Sequence, residues 1–297
     1  MLVVHGGAGK AVDPALEPEI RAGLAEVLKR GSAVLAAGGS AVDAVERVVT
    51  ALEDDPLFNA GKGAVFTRDG GHELDAAIMD GRDRSAGAVA AVRTVRHPVS
   101  LARLVMEKTP HVLLVGEGAE AFATASGVER VENSWFDTPR RRRQLDEELD
   151  AQRRRAASPG KSMGTVGAVA LDTEGHLAAA TSTGGTTGKM AGRVGDSPLV
   201  GAGTWAEDAT CAVSGTGKGE QFIRAAAAAR VAMLVSLGGR TLPQAAEEVI
   251  GKVLHPGDGG LIAVGRDGAV AMPFSTEVMA RGVADSAGRF EVALRSK

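Results

Sequence analysis

Cysteine, aromatic residues and long apolar runs are scarce in this chain of 297 residues. The single cysteine, Cys211, excludes an intrachain disulfide, so cysteine usage gives no reason to expect an oxidising compartment. The most apolar stretch, 225–237, is shorter than a membrane span and contains Arg230. The first ten residues have neither a basic segment nor a long apolar one, unlike a signal peptide. We therefore expect a cytoplasmic protein with no membrane partner.

An excess of one charge is also missing, because 34 basic and 37 acidic residues give a formal net charge of −3. That balance provides no electrostatic basis for nucleic-acid binding, so we expect no nucleic-acid partner. Apolar residues (44% of the chain) and the 40 glycines are abundant. The apolar residues can form the core of one large domain or two small ones, and the glycines indicate tight turns and close backbone approaches.

Periodicity predicts helices and strands in both halves. Residues 14–54 are helical in pattern with a break at Gly38 and Gly39, and hairpin signals occur at 172–175 and 267–268. Further helices are predicted over 98–108, 117–126, 220–237 and 241–253, strands over 2–4, 73–79, 86–92, 112–115, 166–171, 176–183 and 209–214, and a glycine-rich turn over 5–9. Hairpins that alternate with paired helices favour an α+β fold in which helices cover antiparallel sheets.

Residues 138–163 differ in composition from their surroundings. Basic and acidic residues are interspersed in the first part, and Ser158, Pro159 and Gly160 follow. We interpret the segment as a solvated helix followed by a flexible linker. A nucleic-acid patch fits less well, because the charges have both signs and the segment contains no aromatic residue.

Two short motifs match known signatures without the context that these signatures require. Residues 160–164 match G-x-S-x-G around Ser162, but a nucleophile elbow needs a preceding strand and a following helix. Residues 215–219 resemble a phosphate-binding loop but lack a serine or threonine after Lys218. A serine hydrolase and a nucleotide-binding module therefore stay as alternatives. The six histidines are scattered, and their spacing does not predict a catalytic zinc site.

Threonine and glycine recur together at the ends of predicted strands in the second half. Thr165 immediately precedes one strand, Thr183 closes the next, and Thr216 precedes a helix. A polar turn between them carries Arg193 and Asp196. The pattern indicates a site that combines hydroxyl groups with one cation and one anion. Threonine also favours strands, and glycine favours turns, for structural reasons alone.

Motifs along nearly the whole chain resemble those of one family. In the second half they are GTVGAVALD at 164–172, AAATSTGG at 178–185 and GRVGDSPLVGAG at 192–203. The first half contains HGGAG at 5–9, PLFNAG at 56–61 and HELDA at 72–76, and the tail contains GGLIAV at 259–264 and PF at 273–274. Together they are similar to the plant-type L-asparaginase/isoaspartyl aminopeptidase family, whose members are N-terminal-nucleophile hydrolases.

This resemblance implies a self-cleaving amidase with a four-layer αββα fold. A single domain over 1–297 would cut itself between Gly164 and Thr165, which leaves an α subunit, 1–164, that ends in the linker, and a β subunit, 165–297. The expected activity is hydrolysis of the side-chain amide of L-asparagine and of the isopeptide bond of β-aspartyl dipeptides, with release of L-aspartate.

The resemblance also implies the catalytic residues. Thr165 would carry both the attacking hydroxyl and a free α-amine, whose unperturbed pKa of about 7.7–8.0 suits a general base. Thr183 is expected to hydrogen-bond the Thr165 hydroxyl. Thr216 and the amide of Gly217 are expected to bind the oxyanion, where one donor is typically worth about 2.7–4 kcal/mol.

The turn around Arg193 is expected to bind the amino-acid part of the substrate. Arg193 would hold the α-carboxylate in a two-pronged pair, and Asp196 with the carbonyl of Gly219 would hold the α-ammonium. The substrate-binding set implied by the resemblance is Arg193, Val194, Gly195, Asp196, Thr216, Gly217, Lys218 and Gly219. The partner is thus a small amino acid or dipeptide.

The resemblance further implies no organic cofactor but a structural sodium ion, bound by backbone carbonyls. The implied ligands are Leu52, Glu53, Asp55, Phe58, Ala60 and Lys62. Asn59 is expected to shape this loop rather than to catalyse. Two αβ protomers are expected to form a homodimer.

A glycosylasparaginase on the same fold is the nearest alternative. It would cut the bond between asparagine and a sugar. Residues 183–185 (TGG) and 216–220 (TGKGE) look more like the asparaginase branch.

Overall fold

Two β-sheets organise the chain in a computed structural model, which describes residues 1–10, 12–154 and 164–296. The strands are β1 Leu2–Gly9, β2 Leu74–Asp80, β3 Ala86–Val92, β4 Leu113–Val115, β5 Val166–Leu171, β6 Leu177–Thr183, β7 Thr204–Ala206, β8 Cys211–Gly217, β9 Gly259–Gly265, β10 Val270–Ala271, β11 Val278–Ala284 and β12 Phe290–Ala293. The α-helices are α1 Glu17–Ala36, α2 Ala41–Asp54, α3 Pro98–Lys108, α4 Gly116–Ala125, α5 Pro139–Arg153, α6 Gly219–Ala225, α7 Ala227–Ser236 and α8 Leu242–Glu248.

The larger sheet has the strand order β12-β11-β1-β5-β6-β2-β3-β4, and the smaller one β10-β9-β8-β7. Neighbouring strands are antiparallel except for β3 and β4. β5 and β6 lie in the middle of the larger sheet, with Val166 opposite Ser182. The predicted hairpin at 172–175 joins these two strands, and the turn brings the start of β5 beside the end of β6.

Three hydrophobic clusters hold these elements together. The first joins α1, α2 and α3 to one face of the larger sheet, with Val45 and Ile78 among its members. The second lies between the two sheets and includes Val169 and Ile262. The third packs α6, α7 and α8 on the outer face of the smaller sheet. The predicted α+β class is therefore confirmed as two sheets flanked by helices.

Sequence signals account for the ends of several helices. Ser40 and Asp43 form a reciprocal capping box at the start of α2, and Gly38 before it has a φ of +82°. Pro98 occupies the first turn of α3, where its missing N–H costs no hydrogen bond. In the part of the chain that the structure describes, no helix is long and apolar enough to cross a bilayer.

The HGGAG segment is not the turn that its glycines predict. Residues 5–9 continue β1, and their pairing with β11 extends to Gly9, which lies opposite Val278. The register shifts between His5 and Gly7, and Gly7 has a φ of +108°. The glycines thus form an irregularity within a strand, because the distant partner strand supplies the hydrogen bonds that a local pattern cannot reveal.

The segment 138–163 was expected to be a solvated helix and then a flexible linker. Its first part is α5, which is only partly solvated, because Arg141 and Leu145 are buried. Arg141 Nε donates a hydrogen bond to the Gly63 carbonyl at 2.6 Å, so the helix is anchored to the protein. The remaining part, 155–163, lies outside the described residues.

The helix predicted over 220–237 is also corrected. Ala226 adopts a left-handed conformation with a φ of +47°, and this residue separates α6 from α7. The helix predicted over 241–253 changes to a π-helical turn at Val249–Val253. The strand β7 was not predicted, because its three residues are too few for a periodic signal.

We predict that Arg141→Ala lowers the free energy of unfolding by roughly 3 kcal/mol, because it removes a buried side chain and leaves the Gly63 carbonyl without this donor. Urea denaturation would measure the change. Arg143 on the same helix is exposed, so Arg143→Ala should stay within about 0.5 kcal/mol of the original protein. Equal effects of the two substitutions would contradict an anchoring role for Arg141.

Candidate active site

The candidate site is a cavity of about 430 Å³ where the ends of several strands meet. Its lining comes from β1, the start of β5, the end of β6, the turn after β6, the loop after β8, α5 and the segments near 257 and 276. Of the residues predicted from the sequence, those that line it are Gly164, Thr165, Thr183, Arg193, Gly195, Asp196, Gly217 and Lys218. Val194 does not line it, and Thr216 and Gly219 lie against residues that do.

Thr165 and Thr183 face each other at the edge of the cavity. The pairing of Val166 with Ser182 puts Thr165, just before β5, next to the last residue of β6. The Thr165 hydroxyl donates a hydrogen bond to Thr183 Oγ1 at 3.2 Å, and the Gly185 amide donates to the same oxygen at 2.9 Å. Both threonine side chains are buried, so their hydroxyls are shielded from bulk water except through the cavity.

Thr216 and Gly164 meet at the end of β1. Thr216 Oγ1 accepts a hydrogen bond from the Ala8 amide at 3.1 Å, and the Gly164 amide donates to the Ala8 carbonyl at 3.3 Å. A Cβ on Gly7 would lie 2.5 Å from the Gly164 carbonyl oxygen, and one on Gly164 would lie 3.2 Å from Thr216 Oγ1. Only glycine at position 7 permits this close approach of β1 to the backbone before Thr165.

A chain of buried polar groups lies between the two sheets near Thr165. His5 Nε2 is 2.9 Å from Ser214 Oγ, and Ser214 Oγ is 2.7 Å from Thr181 Oγ1. Thr204 donates to Thr181 Oγ1 at 2.7 Å. Burial lowers the pKa of His5 to about 3, so the ring is neutral at physiological pH. These bonds tie β1, β6, β7 and β8 together beside the cavity.

Arg193 and Asp196 lie on one polar turn, but their environments differ. Arg193 Nε and Nη2 each lie 2.9 Å from Glu220 Oε1, in the first turn of α6. Asp196 is buried, and its Oδ2 has no hydrogen-bond partner within the described residues. Burial raises the pKa of Asp196 to about 7. A Cβ on Gly219 would lie 2.9 Å from both Arg193 Nη2 and Asp196 Oδ1, so glycine keeps this space open.

Lys218 lines the cavity, but its charge is already paired. Its Nζ lies 2.9 Å from Oδ1 of the buried Asp258, and its amide donates to the Asp258 carbonyl at 2.7 Å. Gly217 before it has a φ of +153°. The loop at 215–219, which resembles a phosphate-binding loop, is thus held against Asp258 by a main-chain hydrogen bond and by a side-chain ion pair.

The loop predicted to bind sodium does not contribute to the cavity lining. Its implied ligands are Leu52, Glu53, Asp55, Phe58, Ala60 and Lys62. Asn59 connects the two regions: its Nδ2 donates to the Gly185 carbonyl at 2.8 Å, and its Oδ1 accepts from the Val65 amide at 3.0 Å. Glu53 is buried and accepts from Ser182 Oγ at 2.6 Å.

The ligands implied for this loop are backbone carbonyl oxygens, which suit a hard cation better than a soft metal ion. The loop curls so tightly that a Cβ on Gly61 would lie 2.2 Å from the Glu53 carbonyl oxygen, and one on Gly63 would lie 2.0 Å from that of Phe58. Oxygen ligands suit hard cations. Over the described ranges, no group of three or more His, Cys, Asp or Glu residues could hold a metal.

Sequence reasoning missed several residues of the cavity. Asp258 lines it and pairs with Lys218, 40 residues away in the chain, and Glu220, which does not line it, pairs with Arg193, 27 residues away. The other unpredicted lining residues are Ala8, Gly9, Lys10, Gln144, Glu147, Glu148, Gly185, Thr186, Thr187, Gly257 and Thr276. Ala8 and Gly9 lie in the HGGAG motif and Gly185 in AAATSTGG, whereas no local pattern marks the others as cavity residues, because only the fold brings them together. Ser162, the alternative nucleophile, lies outside the described residues.

A cleft that joins a pair of threonine hydroxyls to one guanidinium and one carboxylate is typical of an enzyme that acts on a small zwitterionic substrate. Comparison with known proteins narrows this class. A family model described as asparaginase (Asparaginase_2) matches residues 1–294. This chain belongs to that asparaginase family.

Three similar proteins carry names that agree with this family. The isoaspartyl peptidase of Salmonella typhimurium is 53% identical over 293 residues, which cover 95% of this chain and 94% of the relative. The isoaspartyl peptidase of Escherichia coli is 51% identical over 296 residues, with coverages of 95% and 91%. The isoaspartyl peptidase/L-asparaginase of Rattus norvegicus is 48% identical over 270 residues, with coverages of 90% and 81%.

We predict that Asp196 makes stability depend on pH. The pKa of this carboxyl is about 7 in the folded protein, above its ordinary value of 3.8, so the folded protein holds the proton more tightly than the unfolded chain. Asp196 therefore adds stability that is fully present below about pH 4 and is lost as the pH rises through about 7.

Asp196→Asn removes this titration. The difference in melting temperature, variant minus original protein, should therefore increase from pH 5 to pH 8. Differential scanning calorimetry across this range would measure the difference. Asp69→Asn, which changes an exposed carboxyl, is the matched control. A difference between Asp196→Asn and the original protein that stays constant over the range would contradict the assignment.

Proposed function

We propose that this chain is an isoaspartyl peptidase and L-asparaginase that hydrolyses the side-chain amide of L-asparagine and the isopeptide bond of β-aspartyl dipeptides, with release of L-aspartate. One observation carries the proposal: the Thr165 hydroxyl is hydrogen-bonded to Thr183 in the same cavity that Arg193 and Asp196 line. The nucleophile and the two charged groups for an amino acid thus share one small space. The names of the relatives described above support the same activity.

Activation begins with cleavage between Gly164 and Thr165. In our proposal, Thr165 Oγ attacks the Gly164 carbonyl, the Thr165 nitrogen leaves, and water hydrolyses the resulting ester. The products are the subunits 1–164 and 165–297, and Thr165 gains a free α-amine. The close approach of Gly7 to the Gly164 backbone supports this step, since it fixes the carbonyl that is attacked.

The mature enzyme would use the same hydroxyl on its substrate. The α-amine of Thr165 takes the hydroxyl proton as Oγ attacks the side-chain carbonyl, and it then protonates the departing amine. Water hydrolyses the aspartyl ester and regenerates the enzyme. Thr216 accepts from the Ala8 amide, which leaves its own proton free for the oxyanion, and the Gly217 amide would be the second donor.

Charge complementarity supports the binding mode. The substrate α-carboxylate would pair with Arg193, next to Glu220, and the α-ammonium with the buried Asp196. A bound ammonium favours the ionised form of Asp196 and so provides the partner that its Oδ2 lacks among the described residues. Gly195 and Gly219 leave the space that these groups need.

The two helix-flanked sheets support assignment to the αββα N-terminal-nucleophile fold as a single domain. The homodimer of αβ protomers that the family resemblance implies completes the proposal. Glycosylasparaginase is less well supported, because the relatives described above are named for isoaspartyl and asparagine substrates. A nucleotide-binding module is also less well supported, because Asp258 already pairs with Lys218.

We predict that the purified protein consists of two fragments, the second beginning at Thr165, and that Thr165→Ala stays whole. Intact mass spectrometry would detect the fragments, and ammonia release from asparagine would measure activity. Loss of the nucleophile should lower activity by roughly four orders of magnitude or more. Ser162→Ala should stay cleaved and active. An uncut but active chain, or an inactive Ser162→Ala enzyme that is correctly cleaved, would refute the proposal.

We further predict that sodium stabilises the protein through the carbonyl loop at 52–62. When choline replaces sodium at constant ionic strength, the melting temperature should fall by about 3–5 °C, because a ligand that binds only the folded state stabilises it. Gly61→Ala should abolish the difference, since its Cβ would collide with the Glu53 carbonyl.

Gly38→Ala is the matched control for Gly61→Ala. Gly38 also has a positive φ, but a Cβ there would meet nothing within 4 Å. This control should therefore lose stability from backbone strain alone and keep its response to sodium. If Gly61→Ala responds to sodium as strongly as the control does, the loop is not the site.

A further inference from the structure

The two substrates of the proposed function, on which this inference rests, differ in the leaving group that is released when the amide bond is cut. Asparagine releases ammonia, whereas a β-aspartyl dipeptide releases a whole amino acid that carries its own α-carboxylate. Arg193 and Asp196 would be occupied by the aspartyl half. The leaving residue must therefore extend from Thr165 into another part of the cavity, and its carboxylate calls for a second cation there.

Three cationic side chains line the cavity in the described ranges: Lys10, Arg193 and Lys218. Arg193 pairs with Glu220, and Lys218 pairs with the buried Asp258. Lys10 has neither an ion pair nor a side-chain hydrogen bond with any described residue. It is therefore the one cation of the described lining that is left for another anion.

The position of Lys10 follows from β1. Gly9 is the last residue of that strand to pair with β11, so Lys10 begins the segment that leaves the sheet. Ala8 and Gly9 line the cavity next to Gly164, which immediately precedes the nucleophile. The groups that contact Arg193 closely belong instead to the turn after β6 and to the start of α6. Lys10 thus follows β1, on a different segment of the lining from Arg193 and Asp196.

We propose that Lys10 binds the α-carboxylate of the leaving residue and so makes this enzyme favour β-aspartyl dipeptides with a free C-terminus. Its ammonium is an exposed point charge on a flexible stem, which can reach carboxylates of leaving residues with different side chains. Asparagine, whose leaving group is ammonia, makes no use of Lys10.

The test compares β-aspartyl-leucine with β-aspartyl-leucinamide, which lacks the leaving-residue carboxylate. We expect the original enzyme to prefer the acid by about two- to fivefold in kcat/KM, as one solvent-exposed ion pair predicts. Lys10→Met should lose this preference and hydrolyse asparagine at an unchanged rate, which also reports correct folding and cleavage. Lys10→Arg should retain the preference, and Lys29→Met, at an exposed lysine of α1, is the control.

An original enzyme that treats acid and amide alike, or a Lys10→Met enzyme that still prefers the acid, would overturn the proposal. If Glu147→Gln rather than Lys10→Met changes the ratio of the two rates, the leaving residue lies along α5 instead. A protein that hydrolyses neither the dipeptides nor asparagine would refute the proposed function itself. The asparagine assay therefore separates the two failures.

Discussion

The pairing of β5 with β6 is the constraint on which the candidate site depends. An antiparallel register that puts Val166 opposite Ser182 leaves Thr165 beside Thr183, at the point where both strands reach the cavity. A slip of β5 by one residue would turn its side chains to the other face of the sheet and so separate Thr165 from Thr183. The apolar clusters on the two faces oppose such a shift, because Ala168 belongs to one cluster and Val169 to the other.

Close backbone packing adds to this constraint. β1 approaches the chain before Thr165 so closely that Gly7 could carry no Cβ, and Thr216 accepts from the Ala8 amide in the same region. The loop at 52–62 reaches the end of β6 through Asn59, and α5 holds the Gly63 carbonyl through Arg141. The candidate site is thus supported by contacts from elements that are far apart in the chain.

Local signals in the sequence predicted some elements well. Periodicity predicted the helix over 98–108 that is α3, and the predicted break at Gly38 and Gly39 lies just before α2. Prediction failed where a distant partner decides the conformation. Glycines at 5–9 indicate a turn until β11 supplies hydrogen bonds, and Ala226, a good helix former, adopts a left-handed conformation between two helices.

The sequence by itself determined which chemical groups are available: a threonine after a glycine, two further threonines at strand ends, and a turn with Arg193 and Asp196. Only the tertiary structure decided which of these groups meet and in what state. Burial raises the pKa of Asp196, and residues far along the chain pair with Arg193 and Lys218, whereas Lys10 has no charge partner among the described residues. Strand and helix signals are local, whereas burial and charge pairing depend on contacts between distant residues.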